Sequence, residues 1–185
     1  WEPPAQTSLV PYDLIRTDKL AGAICETVEE WQSSQTLQPA LRDLLERHPP
    51  RFRDRSAGEI ITDPSQLLSQ TVAAISQLDH SVLCIQGPPG SGKTFTASQA
   101  ILTLIQQGKR VAVTSNSHKA IANLLKRTVE LVRSQSLDIS AVKKVSSSGE
   151  PELKDWLSLV KKAEDLKDSK YVLAGATVFA LCDPS

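Results

Sequence analysis

One stretch of the sequence has residue types and a spacing that could hold a polyphosphate. It reads GPPGSGKT over residues 87–94 and fits the pattern G-x-x-x-x-G-K-[ST]. Its glycines let the backbone wrap closely around phosphate oxygens, with successive N–H groups pointing at the anion. Lys93 would place a positive charge on the outer phosphates, and the Thr94 hydroxyl would coordinate magnesium, which makes these two the predicted catalytic residues. The predicted ligand is ATP with Mg²⁺, bound by Gly87, Pro88, Pro89, Gly90, Ser91, Gly92, Lys93 and Thr94.

The patterns on either side of this loop predict the elements that would position it. Residues 81–85 are an apolar run of strand length, and a helix is predicted from Gly92 to about Gln107. An ordinary glycine turn, the alternative, would not require a strand before it and a helix after it. Further strands are predicted at 109–114, 142–146 and 171–174, and helices at 117–133 and 151–166. This alternation predicts an α/β fold with a parallel sheet covered by helices on both faces.

The region before the loop has a different pattern. Residues 1–15 predict an extended segment, and helices are predicted at 17–33, at 37–48 and from Asp63 to about Ile75. The basic and aromatic residues 51–55 predict an exposed linker, with contact to a nucleic-acid backbone as the alternative. We therefore divide the chain into a lead-in, residues 1–60, and a P-loop domain, residues 61–185.

Composition excludes several classes of function. The 21 Lys and Arg balance the 21 Asp and Glu, so any nucleic-acid contact must be local. No apolar stretch approaches the roughly 18 residues of a membrane span, so we expect no membrane association and a cytoplasmic protein. The cysteines, Cys25, Cys84 and Cys182, predict buried reduced thiols. A start at Trp1 and the absence of Met predict a piece of a longer protein.

The loop with Gln86 before it resembles motif I of superfamily 1 helicases, notably the Upf-like group, although AAA+ ATPases have a similar loop. Ser69 and Gln70, ahead of the predicted strand, look like the glutamine motif of that group. The resemblance implies that Gln70 reads adenine, because its amide can donate and accept in one plane. Without the resemblance, Gln70 is simply a polar residue in a helix.

Residues 113–125, VTSNSHKAIANLL, look like motif Ia of the same helicases. The resemblance implies that Ser115 and Asn116 hold a phosphate of a single strand; the alternative, a helix N-cap, is compatible with that role. His118 and Lys119 depart from the family pattern, either as an added phosphate contact or as surface. Residues 171–177 resemble the strand and threonine before the family's acidic magnesium motif, which implies that Thr177 contacts nucleic acid.

The resemblance covers about Ser69 to Ala180 and implies the front part of the first RecA-like domain of an ATP-dependent helicase. The implied partners are single-stranded DNA or RNA and a second RecA-like domain, and the isolated chain is expected to hydrolyse little ATP. A rival interpretation makes residues 178–183 the acidic strand, with Asp183 on magnesium. Two alternatives in function are a AAA+ remodelling ATPase and, for the lead-in, a docking module with Trp31 or Leu44 exposed. Some bacterial members of the family are fused to a RecB-like nuclease.

Overall fold

The computed structural model describes residues 17–54, 56, 58–145 and 150–182. Its α-helices are α1 (Asp18–Ser34), α2 (Pro39–Glu46), α3 (Leu67–Ser76), α4 (Lys93–Gln106), α5 (His118–Ser134) and α6 (Val178–Leu181). Its strands are β1 (Val111–Ser115), β2 (Ala141–Lys144), β3 (Ser158–Val160) and β4 (Leu173–Thr177). Short 3-10 helices lie at Pro64–Gln66, Pro151–Leu153 and Glu164–Lys167.

The strands form one parallel sheet in the order β1-β4-β2-β3. The β1 and β4 pair runs in register from Val111 beside Leu173 to Ser115 beside Thr177. Parallel strands end at the same edge of a sheet, so the residues that follow β1, β2 and β4 meet along one edge. The α/β fold and the parallel sheet with flanking helices are confirmed.

Helix α5 covers one face of the sheet because its apolar residues recur at helical spacing. Ile121, Leu125 and Val129 are buried in a core with Leu173 of β4 and Ile101 of α4. The helix approaches β4 so closely that a Cβ on Gly175 would lie 2.5 Å from Leu125 Cδ1 and 2.7 Å from Ile121 Cγ2. Only glycine fits at this crossing.

The opposite face of the sheet is covered by shorter elements. Val142, Leu166, Tyr171, Ala176 and Ala180 form a second buried cluster there. Near β1 this face remains open, with Ala112 and Thr114 exposed and a cavity of about 370 Å³ beside Ala112. Helices therefore lie on both faces of the sheet, as predicted, but the long helices cover one face and only short helices cover the other.

Three predicted elements differ from the structure. Residues 81–85 form no strand, because within the described part of the chain they pair with no other strand. The predicted helix at 151–166 is two 3-10 helices around β3, since pairing of β3 with β2 overrides the helical spacing of its apolar residues. Val178–Leu181 is helix α6, so the rival acidic strand is wrong at these residues, while Asp183 lies outside the described residues.

The segment at 51–55 and the cysteines also differ from expectation. Arg51, Arg53 and Asp54 are exposed, as predicted for a linker, but Phe52 is buried and forms an antiparallel bridge with Leu78. Arg55 lies outside the described residues. The cysteines are free, as predicted, but Cys25 and Cys84 are exposed rather than buried. Within the described ranges, no helix has both the length and the apolar character to cross a bilayer.

Candidate nucleotide and nucleic-acid sites

The glycine-rich loop at 87–92 leads directly into the first turn of α4. Gly90 and Gly92 have φ of 80° and 85°, the left-handed region that favours glycine. A Cβ on Gly87 would lie 2.6 Å from Ser91 Oγ, so the Ser91 hydroxyl would have to move to admit a side chain. The sequence therefore allows this close turn because glycine occupies each of the tight positions.

Lys93 folds back onto the loop that precedes it. Its Nζ donates to the carbonyl oxygens of Gly87 and Pro88 at 2.5 and 2.7 Å. Both Lys93 and Thr94 are exposed at the start of α4. The ammonium of Lys93 is thus held over the loop, where a phosphate would lie. When a polyphosphate binds, Lys93 would give up its hydrogen bonds to the two carbonyl oxygens and form ionic contacts with phosphate oxygens instead.

The loop residues fit a magnesium-bound nucleotide. The exposed lysine, the exposed hydroxyl and the N-terminal end of a helix of 14 residues are the groups that such a ligand requires. Among the described residues, no group of three or more His, Cys, Asp or Glu could hold a metal ion by protein ligands alone. When bound, magnesium would neutralise phosphate charge, with Thr94 supplying a hydroxyl ligand.

The side-chain amide of Gln70 forms hydrogen bonds with the residues that precede α3. Its Oε1 accepts from the backbone N–H groups of Thr62 and Asp63 at 2.8 and 3.3 Å, and its Nε2 donates to Thr62 Oγ1 at 3.1 Å. Hydrogen bonds from the Ser65 hydroxyl and N–H lower the pKa of Asp63 and stabilise the same turn. Gln70 is therefore oriented, and reading adenine would require it to exchange its contacts with Thr62.

The residues predicted to contact nucleic acid come together at the carboxyl edge of the sheet. Ser115 and Thr177 are register partners at the ends of β1 and β4, and Asn116 follows Ser115 with its side chain exposed. The N-cap of α5 is Ser117, whose Oγ accepts from the Ala120 N–H at 3.3 Å. The capping role proposed as an alternative for Ser115 and Asn116 therefore belongs to Ser117.

Sequence reasoning missed a buried ionic cluster at the same edge. Lys143 of β2 is fully buried, and its Nζ forms an ion pair with Glu150 and lies 3.4 Å from His118 Nδ1. In sequence, Lys143 and Lys144 are two consecutive lysines within the predicted strand at 142–146. The only available signal was the alternation of side chains, which places Lys143 on the same face as the buried Ala141.

A second missed cluster joins the lead-in to the segment before the loop. Asp43 of α2 is 1% exposed, and its carboxylate accepts from Arg51 Nη1 at 2.6 Å and from Ser81 Oγ at 2.7 Å. The Ser81 hydroxyl, with a smaller effect of the Arg51 charge, lowers the pKa of Asp43. Arg51 also donates to the His80 carbonyl oxygen, so the chain entering the loop segment is fixed to the lead-in.

The parallel sheet and the loop before α4 have the architecture of a P-loop NTPase domain, and comparison with known proteins agrees. The AAA domain family matches residues 64–170, more than half of the 185 residues. The chain belongs to this family.

Two named proteins are similar to parts of this chain. It is 34% identical over 94 residues to the DNA replication ATP-dependent helicase/nuclease DNA2 of Saccharomyces cerevisiae, covering 46% of this chain and 6% of that protein. It is 37% identical over 65 residues to the DNA-binding protein SMUBP-2 of Rattus norvegicus, covering 35% of this chain and 6% of the relative. The chain thus spans a small fraction of the length of these relatives. They support the resemblance to superfamily 1 helicases and do not favour a AAA+ remodelling ATPase.

Proposed function

We propose that the chain is the front part of the first RecA-like domain of an ATP-dependent superfamily 1 helicase. It binds ATP with Mg²⁺ at residues 87–94, with Gln70 as the adenine reader, and a single strand of DNA or RNA at Ser115, Asn116 and Thr177. In the longer protein a second RecA-like domain closes on the nucleotide and couples its hydrolysis to movement along the strand. By itself this chain binds nucleotide and hydrolyses little of it.

One observation carries the proposal. Ser115 and Thr177 come from two motifs that are separate in sequence, yet they are register partners at the ends of adjacent parallel strands. Ligands of open α/β sheets bind at this edge, where the carboxyl ends of the strands meet. Their hydroxyls and the exposed amide of Asn116 are groups that contact phosphate without reading base sequence. A translocating enzyme requires this kind of contact.

The nucleotide site is tested by calorimetry with Mg-ATP on the full chain and its Lys93→Ala variant. A hydrogen bond to a charged group contributes about 1.5–3 kcal/mol, so the variant should lose about 10- to 100-fold in affinity. Lys109→Ala is the matched control, because this exposed lysine follows the opposite end of α4 and its loss should change nothing. Equal affinity in all three proteins would contradict the proposal.

The strand site is tested by fluorescence anisotropy with a labelled oligothymidylate and a labelled oligouridylate. The double variant Ser115→Ala, Thr177→Val should weaken binding of either strand several-fold, because each hydroxyl contributes about 0.5–1.5 kcal/mol. Thr114→Val is the control, since this exposed residue is one position earlier on β1 and points to the other face. No binding of either strand by the wild-type chain would contradict the strand site and leave the nucleotide site standing.

For the lead-in, exposed apolar side chains favour the docking role. Trp31 of α1 is 43% exposed and Leu44 of α2 is 50% exposed, and Ile24 and Val28 are exposed on the same helix as Trp31. An exposed apolar stripe of this kind commonly marks a site of contact with another protein surface. We propose that it contacts a neighbouring domain, and hydrogen exchange in a longer form of the protein should show protection of α1 relative to the 185-residue chain.

A further inference from the structure

The buried Lys143 makes His118 a directed hydrogen-bond donor at the carboxyl edge of the sheet. A lysine ammonium has three donors and no acceptor. Its Nζ lies 3.4 Å from His118 Nδ1, a contact that is favourable only when Nδ1 carries the lone pair. In the neutral ring the proton is then on Nε2.

The surroundings of Lys143 hold this arrangement in place. Lys143 is 0% exposed and follows Ala141 on the face that α5 covers, so its ammonium cannot turn to solvent. Glu150 neutralises it through an ion pair and is itself 20% exposed. Losing either partner of a buried pair is costly, because the other charge is left uncompensated. The pair therefore fixes the position of the ammonium against the His118 ring.

The other ring nitrogen is available to a ligand. His118 is half-buried, and among residues that the structure describes none accepts a hydrogen bond from Nε2. His118 stands three residues after Ser115, and Lys143 is the register partner of Gly175, two residues before Thr177. His118 thus lies at the same edge of the sheet as Ser115 and Thr177.

We propose that His118, in its Nε2–H tautomer, donates to a phosphate of the bound single strand, and that Lys143 is the positioning residue that sets this tautomer. The inference rests on the proposed strand site and adds a residue to it. A neutral donor displaces no counterion, so it contributes affinity without changing the salt dependence. The neighbouring Lys119 is exposed and would act as a point charge, with a contribution of about 0.7 to the salt slope.

The tautomer is tested by ¹⁵N-edited NMR of the imidazole rings in the full chain. The chain has three histidines, so loss of one signal in His118→Ala assigns the ring. We expect a pyrrole-type Nε2 and a pyridine-type Nδ1 in the wild type, and a shift toward the mixed tautomers of a free ring in Lys143→Met. A protonated ring, or a proton on Nδ1, in the wild type at neutral pH would overturn the proposal.

The contact is tested by binding a labelled single strand at several salt concentrations. His118→Ala should lower affinity about fivefold with an unchanged salt slope, and His118→Gln, which keeps a neutral donor, should recover part of the loss. Lys119→Ala should instead reduce the slope by about 0.7. His118→Ala with wild-type affinity would overturn the contact alone. Absence of strand binding by the wild type would overturn the proposed strand site and this contact with it, whereas the tautomer measurement remains independent.

Discussion

The two candidate sites of this domain are built in opposite ways. The strand site lies at the ends of packed elements: β1 and β4 are paired along their length, and α5 packs directly on Gly175. The P-loop is exposed, follows residues 82–86, which join no strand among the described residues, and has its lysine bonded to the loop's own carbonyl groups. Tertiary packing therefore determines the geometry of the strand site, whereas glycine dihedrals and local hydrogen bonds determine that of the nucleotide site.

This difference predicts where substitutions change stability and where they change affinity. A substitution at the packed contact between β4 and α5 should lower the free energy of unfolding, because the closely packed side chains there have little room to move. A substitution in the P-loop should leave that free energy nearly unchanged and alter nucleotide binding. The predictions below begin with the largest expected effect.

Replacing Gly175 by Ala should be the most destabilising change. The new Cβ would overlap Leu125 and Ile121, both fully buried, and overpacking of this kind costs about 1–3 kcal/mol. Urea denaturation measures the free energy of unfolding. Gly22→Ala is the control, because no atom lies within 4 Å of a Cβ there and alanine favours the interior of α1. Equal stability of the two variants would show that α5 is not held against β4 as described.

Replacing Gly87 by Ala should change affinity rather than stability. The Cβ would meet Ser91 Oγ, displace the loop and weaken Mg-ATP binding by about tenfold, or roughly 1.4 kcal/mol. Adding Ser91→Ala removes the clashing hydroxyl and should recover much of the loss, a coupling that a double-mutant cycle measures. Additive losses in the cycle would mean that the two residues are not in contact.

Removing the N-cap of α5 should cost a moderate amount of stability. Ser117→Ala loses the hydrogen bond from the Ala120 N–H to Ser117 Oγ, and such caps contribute about 1 kcal/mol. Thr17→Ala is a matched control, since the N-cap position of α1 makes no side-chain capping bond. Thermal unfolding should distinguish the two variants; similar losses in both would contradict the assignment of Ser117 as the cap.

Replacing Asp43 by Asn should have an effect that depends on pH and is smallest in acid. The pKa of Asp43 lies below its ordinary value of 3.8, chiefly through the Ser81 hydroxyl. The group therefore stabilises the fold above about pH 3.8 and loses this contribution as the pH falls through its lower folded pKa. The stability difference between wild type and variant should shrink below pH 4. In a Ser81→Ala background the difference should be smaller at every pH.

Much of the candidate site could be predicted from sequence because it depends on local patterns. The glycines, Lys93 and Thr94 lie within the eight residues 87–94. The start of α5 was predicted to within one residue from its apolar spacing and polar first residues. The predicted strand at 81–85 and helix at 151–166 were wrong, because pairing with distant strands decides whether an extended or an apolar segment becomes a strand. Side-chain alternation alone did not identify Lys143 as buried, since its burial depends on α5 and Glu150 lying over it.

The amino-acid sequence by itself determined the nucleotide loop, the alternation of strands and helices, and the residue types at the strand ends. Those properties follow from backbone freedom at glycine, from apolar periodicity and from the chemistry of single side chains. Only the tertiary structure decided that Ser115 and Thr177 are neighbours, that Lys143 faces His118 and that Asp43 links the lead-in to Ser81. Each of these contacts joins residues at least 25 positions apart, and such distances close only when the sheet and its covering helices have assembled.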